Sequence, residues 1–270
     1  MTTTRIEKTF ARLSAANEKA LVGFVTAGDP DMERSLEIIY EMIDGGLDIL
    51  ELGVPFSDPT ADGPVIQRSS ERALKSGMRL ERVAQMVSAI RKRAADIPII
   101  VFSYYNPIHA YGIEKFYADF SAAGADGVLV VDLPPEESAE MTDRWKGAPF
   151  PMIRLMAPTT PDKRMKEIAA VSDGFIYMVS KTGVTGSDGL DAGVSGDQVT
   201  RLKQMTSLPV CVGFGISTPE DVAAVARVAD GVVIGSAFER TIEENIDDPG
   251  LPARLAKQTT AYKAATRPSP

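Results

Sequence analysis

The stretch LDILELGVPFSDPTADGP, residues 47–64, joins an apolar run to a proline-rich loop. The run 47–50 predicts a buried strand, and Glu51 follows directly at its C-terminal end. A carboxylate in that place costs desolvation free energy unless it has a partner or a chemical task. Three prolines stiffen the loop, so Asp62 is held in place rather than left free. Two carboxylates held in different environments are what acid–base chemistry requires.

A second interpretation of this carboxylate pair is purely structural. Glu51 would then form a salt bridge, and Asp62 would merely cap the helix that begins near Pro64. Structural networks of charges also perturb such groups, so this segment alone leaves both interpretations open.

The rest of the chain repeats an alternation of strand and helix. Eight short apolar runs predict strands, with amphipathic stretches of helical period after them. The predicted strands are residues 21–26, 48–52, 99–103, 127–131, 152–156, 175–179, 210–213 and 232–234. The predicted helices are residues 32–43, 80–94, 113–123, 136–145, 162–170, 197–205, 219–228 and 252–263. Eight such units at this length predict a single-domain α/β (β/α)8 TIM barrel over residues 1–270.

The two ends of the chain lie outside this alternation. Residues 1–16 predict an N-terminal helix that packs on the barrel, with Ile6, Phe10 and Leu13 on one face. Residues 267–270 predict a loose tail. Glycine–aspartate turns before several strands, as at 45–48, belong to the face of a barrel that serves stability.

Composition narrows the class of protein. The net charge of −8, from 29 basic and 37 acidic residues, argues against a general nucleic-acid or membrane-surface binder. No apolar run approaches the roughly 18 residues of a membrane span. The N-terminus lacks the apolar core of a secretory signal. Cys211 is the single cysteine and predicts a buried thiol in a reducing compartment, which fits a cytoplasmic protein.

Two connections that follow strands are swollen, one after strand 2 (residues 53–76) and one after strand 6 (residues 180–196). Loops after strands form the catalytic face of a barrel, so both suggest function, although tolerated insertions look the same. The glycine-rich loop after strand 6 suits a lid that closes over substrate, or a plain surface loop. Lys181 in that loop is either a Schiff-base lysine of an aldolase or, as we prefer, a solvated charge.

Glycines after strands 7 and 8 predict an anion site. Gly215 lies in the first loop, and Gly235 and Ser236 lie in the second, where a short helix would begin. Such loops expose backbone N–H groups, and a helix N-terminus favours a phosphate. The alternative is a pair of tight turns. Since no P-loop or dinucleotide motif is present, a sugar or triose phosphate fits better than a nucleotide.

Metal chemistry has little support in the sequence. The only histidine, His109, lies in the loop-like stretch 104–112, and no cluster of cysteine and histidine exists. We therefore predict no metal site. Asp132, after strand 4, points at the same face and either takes part in catalysis or, more plausibly, orients its neighbours.

Six segments together resemble the α subunit of tryptophan synthase. They are ELGVPFSDPTADGPVIQ (51–67), SYYNPIHAYG (103–112), VVDLPPEES (130–138), MVSKTGVTG (178–186), VGFGIS (212–217) and GVVIGSA (231–237). They occur in the family's order and cover nearly the whole chain. Thr60, where leucine is familiar, and Lys181, where some members have arginine, depart from the pattern.

The resemblance implies a carbon–carbon lyase of tryptophan biosynthesis. It would cleave indole-3-glycerol phosphate by a retro-aldol reaction into indole and glyceraldehyde 3-phosphate. It would need no cofactor of its own and would pair with a pyridoxal-phosphate β subunit in an α2β2 heterotetramer. A stand-alone indole-releasing lyase would share every catalytic residue. A Schiff-base aldolase or a phosphosugar isomerase are more distant alternatives.

The resemblance also implies roles for individual residues. Glu51 corresponds to the general acid and base, and Asp62 to the carboxylate that binds the indole nitrogen. The corresponding substrate-binding residues are Phe24, Tyr104 and Tyr177 around the substrate, Thr185 in the lid, and Gly186, Gly215, Gly235 and Ser236 at the phosphate. Phe56 and Asp58 lie on the loop that would meet the β subunit.

Overall fold

The computed structural model describes residues 3–180, 192–213 and 215–267, without the side chains of 192–195. Eight parallel strands close into one barrel in chain order, which confirms the predicted TIM barrel. The strands are β1 (Ala20–Thr26), β2 (Ile49–Gly53), β3 (Ile99–Ser103), β4 (Gly127–Val130), β5 (Met152–Met156), β6 (Ile176–Val179), β7 (Val210–Gly213) and β8 (Gly231–Ile234). The barrel closes by pairing of β1 with β8.

Helices surround the barrel and close its lower end, which is the end at which the strands begin. The opposite end, where the strands finish, is the upper end. They are α1 (Arg5–Ala15), α2 (Met32–Asp44), α3 (Pro64–Lys75), α4 (Leu80–Arg93), α5 (Tyr105–Tyr111), α6 (Ile113–Ala123), α7 (Ala139–Thr142), α8 (Asp162–Ala170), α9 (Ala192–Lys203), α10 (Pro219–Ala226), α11 (Ser236–Glu244) and α12 (Leu251–Ala265). Helix α1 buries Ile6 and Leu13 against the barrel, and Phe10 packs on Phe175 with ring centroids 6.0 Å apart.

Each strand divides its side chains between two apolar cores, because successive residues of a strand point to opposite faces. On β2, Ile49 belongs to the core inside the barrel. Leu50 and Leu52 belong to the core between the barrel and the helices. Glu51 shares the face of Ile49, so this strand carries a carboxylate into the interior of the barrel.

Two predicted elements were wrong. The stretch 104–112 is not a loop but contains helix α5, whose Pro107 lies in the first turn, where a missing N–H costs little. The predicted helix 136–145 is reduced to α7 and the 3₁₀ turn Asp143–Trp145, since the chain after Pro135 forms turns first. The swollen loop after β2 contains a whole extra helix, α3.

Carboxylates at the lower end of the barrel are tied to basic side chains. Asp48, before β2, accepts an N–H of β1 and pairs with Arg12 at 2.9 Å and with Lys263 at 2.7 Å. Asp126 before β4 and Asp230 before β8 repeat this arrangement, each with an N–H of the preceding strand and at least one basic partner. The glycine–aspartate turns therefore stabilise this face.

Candidate active site

Glu51 lies inside the barrel as the third of the five residues of β2, so the strand continues for two residues beyond the predicted strand end at Glu51, and it has no solvent exposure. Neither carboxyl oxygen has a hydrogen-bond partner among the described residues, and the described part of the chain offers it no salt bridge. Because nothing compensates the lost hydration, burial raises the pKa of Glu51 to about 8. Within the described residues Glu51 therefore forms no salt bridge of the kind that the structural interpretation requires.

Asp62 is held by Tyr104. The Tyr104 hydroxyl donates to Oδ2 of Asp62 at 3.1 Å and accepts the N–H of Ala61 at 2.9 Å, so one side chain holds both the carboxylate and its loop. Burial raises the pKa of Asp62 to about 6, and the bond from Tyr104 works against that rise. Helix α3 is capped by Gly63 without a side-chain bond, so Asp62 does not serve as the cap.

Aromatic rings line the space between these carboxyls. Phe24 and Tyr177 both face it, and both need a glycine opposite them. A Cβ on Gly53 would lie 2.5 Å from Cζ of Phe24, and a Cβ on Gly213 would lie 2.2 Å from the Tyr177 hydroxyl. These two strand-end glycines therefore make room for the rings. The resulting pocket holds about 470 Å³ of empty space, including its open mouth.

Backbone N–H groups line the other end of the pocket. Gly215, Gly235 and Ser236 lie on its wall. Gly215 has φ +74, a conformation that favours glycine, and Ser236 is the first residue of α11. The first N–H groups of a helix have no acceptor within it, so the N-terminus of α11 is suited to an anion. The two carboxyls and the N-terminus of α11 thus share one pocket.

The structure brings together most of the predicted site residues. Those lining the pocket are Phe24, Glu51, Asp62, Tyr177, Gly215, Gly235 and Ser236. Tyr104 joins them through Asp62. Thr185 and Gly186 of the predicted lid, and Lys181, lie outside the described residues.

The predicted partner loop contacts Tyr104, the residue that holds Asp62. The ring of Phe56 lies 5.3 Å from that of Tyr104, and Asp58 is exposed and accepts the Ser57 hydroxyl at 2.6 Å. Phe56 therefore touches the residue that holds Asp62.

Four pocket residues were missed: Ile66, Phe102, Ile216 and Val233. Phe102 packs edge-on against Phe24 with centroids 5.1 Å apart. The sequence could have identified Phe102, because this residue follows Ile100 by two positions and therefore points to the same inward face. Ile66 and Ile216 lie after strands, where alternation gives no guidance.

Oδ1 of Asp132 accepts the N–H of Tyr105 at 2.7 Å and so holds the first turn of α5. This contact fits the interpretation that Asp132 orients its neighbours. His109 is exposed on α5 and packs against the ring of Tyr105. Cys211 is a buried free thiol. Within the described ranges no group of three acidic, histidine or cysteine side chains is placed to hold a metal ion. The same part of the chain has no helix long and apolar enough to cross a bilayer.

Comparison with known proteins assigns the pocket to a family. The family model described as tryptophan synthase alpha chain matches residues 10–267. The chain belongs to the tryptophan synthase alpha chain family. A relative of that name from Desulfatibacillum aliphaticivorans is 63% identical over 97% of this chain and 98% of its own. One from Desulfosudis oleivorans is 62% identical over 97% of this chain and 99% of its own.

Solved structures agree with this assignment. The tryptophan synthase subunit alpha of Legionella pneumophila is 38% identical with a TM-score of 0.90, covering 98% of this chain and 99% of its own. A chain of Mycobacterium tuberculosis tryptophan synthase is 34% identical with a TM-score of 0.90, covering 99% of this chain and 100% of its own. The protein is therefore a carbon–carbon lyase that cleaves indole-3-glycerol phosphate. It needs no cofactor itself and pairs with a β subunit that holds pyridoxal phosphate, in an α2β2 complex.

Proposed function

We propose that Glu51 and Asp62 divide the cleavage of indole-3-glycerol phosphate between them. The observation that carries this proposal is the difference between the two carboxyls in one pocket, with a pKa of about 8 for Glu51 and about 6 for Asp62. Between these values Glu51 keeps its proton while Asp62 is ionised. One group is then ready to act as an acid, and the other to accept a hydrogen bond.

The reaction follows from these states. The Glu51 carboxyl gives its proton to the ring carbon that bears the glycerol chain, while Asp62 accepts the ring N–H. The protonated ring becomes an electron sink within the substrate. The Glu51 carboxylate then takes the proton of the adjacent hydroxyl, the carbon–carbon bond breaks, and its electron pair restores the aromatic ring. Indole and the aldehyde leave, and Glu51 is again a neutral acid.

We assign the substrate phosphate to the N-terminus of α11. Gly215, Gly235 and Ser236 supply backbone N–H groups there, and Ser236 adds a hydroxyl. This placement puts the charged end of the substrate at the mouth and its ring between Phe24 and Tyr177, near both carboxyls.

Crystals of Glu51→Gln grown with intact indole-3-glycerol phosphate test this arrangement. We expect density for the uncleaved substrate, with its phosphate at Gly235 and its ring N–H within hydrogen-bond distance of Asp62. A phosphate bound elsewhere, or a ring nitrogen turned away from Asp62, would refute the assignment.

A pair of substitutions at Ser236 tests the phosphate end in solution. Ser236→Ala removes the hydroxyl only, whereas Ser236→Pro also removes the N–H at a helix position where proline is tolerated. We expect the proline variant to raise KM for substrate clearly more than the alanine variant, since a hydrogen bond to a charged group contributes about 1.5–3 kcal/mol. Equal KM values for the two variants would argue against a backbone cradle.

We further infer that the loop 54–61 transmits the presence of the β subunit to the site. The contacts in support run from Phe56 through the Tyr104 ring to Asp62. We expect low activity of the isolated chain and a clear rise with the β subunit. Phe56→Ala and Asp58→Ala should reduce that rise more than the isolated activity. Unaltered activation of Phe56→Ala would remove this route.

We also infer a cytoplasmic location. The biosynthetic role of the family and a single, buried, free cysteine support it. Fractionation of the source cells with an antibody to the chain tests this inference.

A further inference from the structure

A network of charged side chains lies between α3, α11 and the end of β1, outside the pocket, with Asp29 and Glu239 buried and Arg68 exposed. Asp29 accepts two N–H groups of Arg72 at 2.8 and 2.7 Å. A third N–H of Arg72 reaches Glu243 at 2.8 Å, and Glu243 accepts two from Arg68 at 2.6 and 2.7 Å. Glu239 completes the network from one turn earlier on α11 and has no solvent exposure. The proposed reaction uses none of these five side chains.

Glu239 carries a proton in this network. Its Oε1 accepts the N–H of Thr26 at 2.6 Å, whereas its Oε2 meets no N–H or hydroxyl donor of the described residues. Both oxygens of the neighbouring Asp29 accept N–H groups of Arg72, whereas no basic side chain of the described residues bonds to Glu239. Of these two buried carboxyls, Glu239 is therefore the one that favours the protonated form. Burial and the adjacent charge of Asp29 raise the pKa of Glu239 well above its usual value.

The charges balance only in that state. With Glu239 neutral, the carboxylates of Asp29 and Glu243 match the guanidinium groups of Arg72 and Arg68. Helix α12 also packs against α11, and there it brings Gln258 and the neutral hydroxyl of Tyr262. A second buried anion beside Asp29 would leave the network one negative charge in excess, at a high desolvation cost.

The network joins the two helices that begin at the pocket. Helix α11 starts at Ser236, three residues before Glu239. Helix α3 starts two residues after Asp62, and its Ser69 hydroxyl lies 2.7 Å from that of Thr26. Thr26 ends β1 and so stands between both helices. The N–H of Thr26 donates to Glu239 of α11, and the hydroxyl of Thr26 is hydrogen-bonded to that of Ser69 in α3.

We propose that Glu239, through the hydrogen bond that it accepts from the N–H of Thr26, is a positioning residue that docks the first turn of α11 against the end of β1 and thereby sets the phosphate-binding N–H groups. The proposal rests on the assignment of phosphate to this helix N-terminus. It predicts an effect on substrate binding rather than on bond cleavage, because Glu239 touches neither carboxyl of the reaction.

Two substitutions of Glu239 separate positioning from general stability. Glu239→Gln keeps an acceptor for Thr26 and supplies an amide donor to Asp29 without a titrating group. Glu239→Leu keeps similar bulk and removes the acceptor for Thr26. With the β subunit present, we expect the leucine variant to raise KM for indole-3-glycerol phosphate about 10-fold, as the loss of one buried hydrogen bond implies, with kcat within a few-fold. The glutamine variant should restore the wild-type KM at neutral pH.

The inhibition constant of inorganic phosphate, measured against pH, gives a second readout. In the wild type, phosphate binding should weaken as rising pH removes the proton of Glu239, whose pKa burial raises, and it should weaken beyond the change in Glu239→Gln. The glutamine variant is the matched reference, since the titration of phosphate itself and of Glu51 affects both proteins equally.

Clear outcomes would overturn the proposal. Glutamine and leucine variants with the same raised KM would show that the bond accepted from Thr26 is not what matters. Wild-type KM in the leucine variant, with folding confirmed by denaturation, would show that the dock is unnecessary. Glu243→Gln, at the half-exposed end of the network, should change KM less than Glu239→Leu. If Ser236→Pro leaves KM unchanged, the phosphate assignment fails and the proposal that rests on it fails too, whereas a raised KM in Ser236→Pro with a wild-type KM in Glu239→Leu overturns the positioning role alone.

Discussion

Asp48 and Glu51 lie three residues apart, the first directly before β2 and the second in its middle, and both are buried, but their partners differ. Asp48 faces the lower end of the barrel, where it accepts the N–H of Leu21 and pairs with Arg12 and Lys263. Glu51 faces the upper end with no partner in the described part of the chain. The lower carboxylate is paired with basic side chains, whereas burial raises the pKa of the upper one to about 8.

The difference shows how one fold separates stability from chemistry. A buried charge that is paired and hydrogen-bonded holds its neighbours together, whereas a buried carboxyl left unpaired keeps its proton and costs the fold free energy. The barrel supplies basic side chains to its lower face from α1, α4, α9 and α12. At the upper face it sets aromatic rings and a tyrosine hydroxyl around the carboxyls instead.

Substitution of Glu51 should produce the largest effect on activity. Glu51→Gln removes the only proton donor in the proposed reaction, and we expect a loss of indole release of about 10³-fold or more, since general acid–base groups contribute typically 10²–10⁴-fold. Indole release by the variant, assayed with the β subunit, measures this loss. Turnover near that of the wild type in a folded Glu51→Gln protein would remove Glu51 from the reaction.

The same variant has an opposite effect on stability. Because the pKa of Glu51 is about 8 when folded and near 4.5 when unfolded, the folded state holds a proton that the unfolded state lacks between these values. The contribution of Glu51 to stability therefore falls as pH rises through this window, by about 1.4 kcal/mol per pH unit. Glu51→Gln should lack this slope and exceed the wild type in stability at pH 8, as urea denaturation at several pH values would show.

At the lower face, substitution of a carboxylate should lower stability and leave activity unchanged, the reverse of Glu51→Gln. Asp126→Asn removes the partner of Arg91, 2.6 Å away, and of Arg5, 2.9 Å away. We expect a loss of about 3 kcal/mol in the free energy of unfolding, as when one member of a buried pair is removed. Indole release per folded molecule should stay near that of the wild type. Asp44→Asn, which breaks an exposed pair with Arg93, is the control and should cost less than about 1 kcal/mol.

The positions of these carboxylates could be predicted from the sequence, but their pairing could not. An apolar run that leads into Glu51 places that residue on a strand, and glycine–aspartate turns place Asp48 at the lower end. Nothing local distinguishes a paired from an unpaired carboxyl. The partners of Asp48 lie 36 and 215 positions away along the chain. Only the closed barrel brings them together.

Other misses have local physical causes. The stretch 104–112 was predicted to be loop-like, but it contains helix α5, whose first turn tolerates Pro107. Glu239 looks like an ordinary solvated charge in a helix that carries Glu243, Glu244 and Arg240 nearby. Its burial depends on α3, which comes from a distant part of the sequence and was itself predicted only by its first residue.

Asp62 should rank after Glu51 in its effect on catalysis. Asp62→Asn keeps the size of the side chain and removes the charge that attracts the ring N–H, so we expect a loss of about 10²-fold in kcat/KM. Substrate binding should persist through the phosphate. Asp58→Asn, four residues earlier on the same loop, is the control in the isolated chain, where it should keep its activity. Equal losses in both variants would indicate damage to the loop rather than loss of a catalytic charge.

Substitution of Tyr104 should have the smallest effect, and it tests whether Asp62 and Glu51 titrate separately, because the Tyr104 hydroxyl bonds only to Asp62 of the two. The proposed reaction needs Asp62 ionised and Glu51 protonated, so kcat/KM should rise through about pH 6 and fall through about pH 8. Tyr104→Phe removes the hydroxyl that favours the ionised form of Asp62. The pKa of Asp62 then rises, and the acid limb of the profile should move to higher pH with a loss of a few-fold at pH 7. Glu51 makes no bond with Tyr104, so the alkaline limb should stay in place. A shift of both limbs together would mean that the two carboxyls titrate as one unit and that the division of roles between them is wrong.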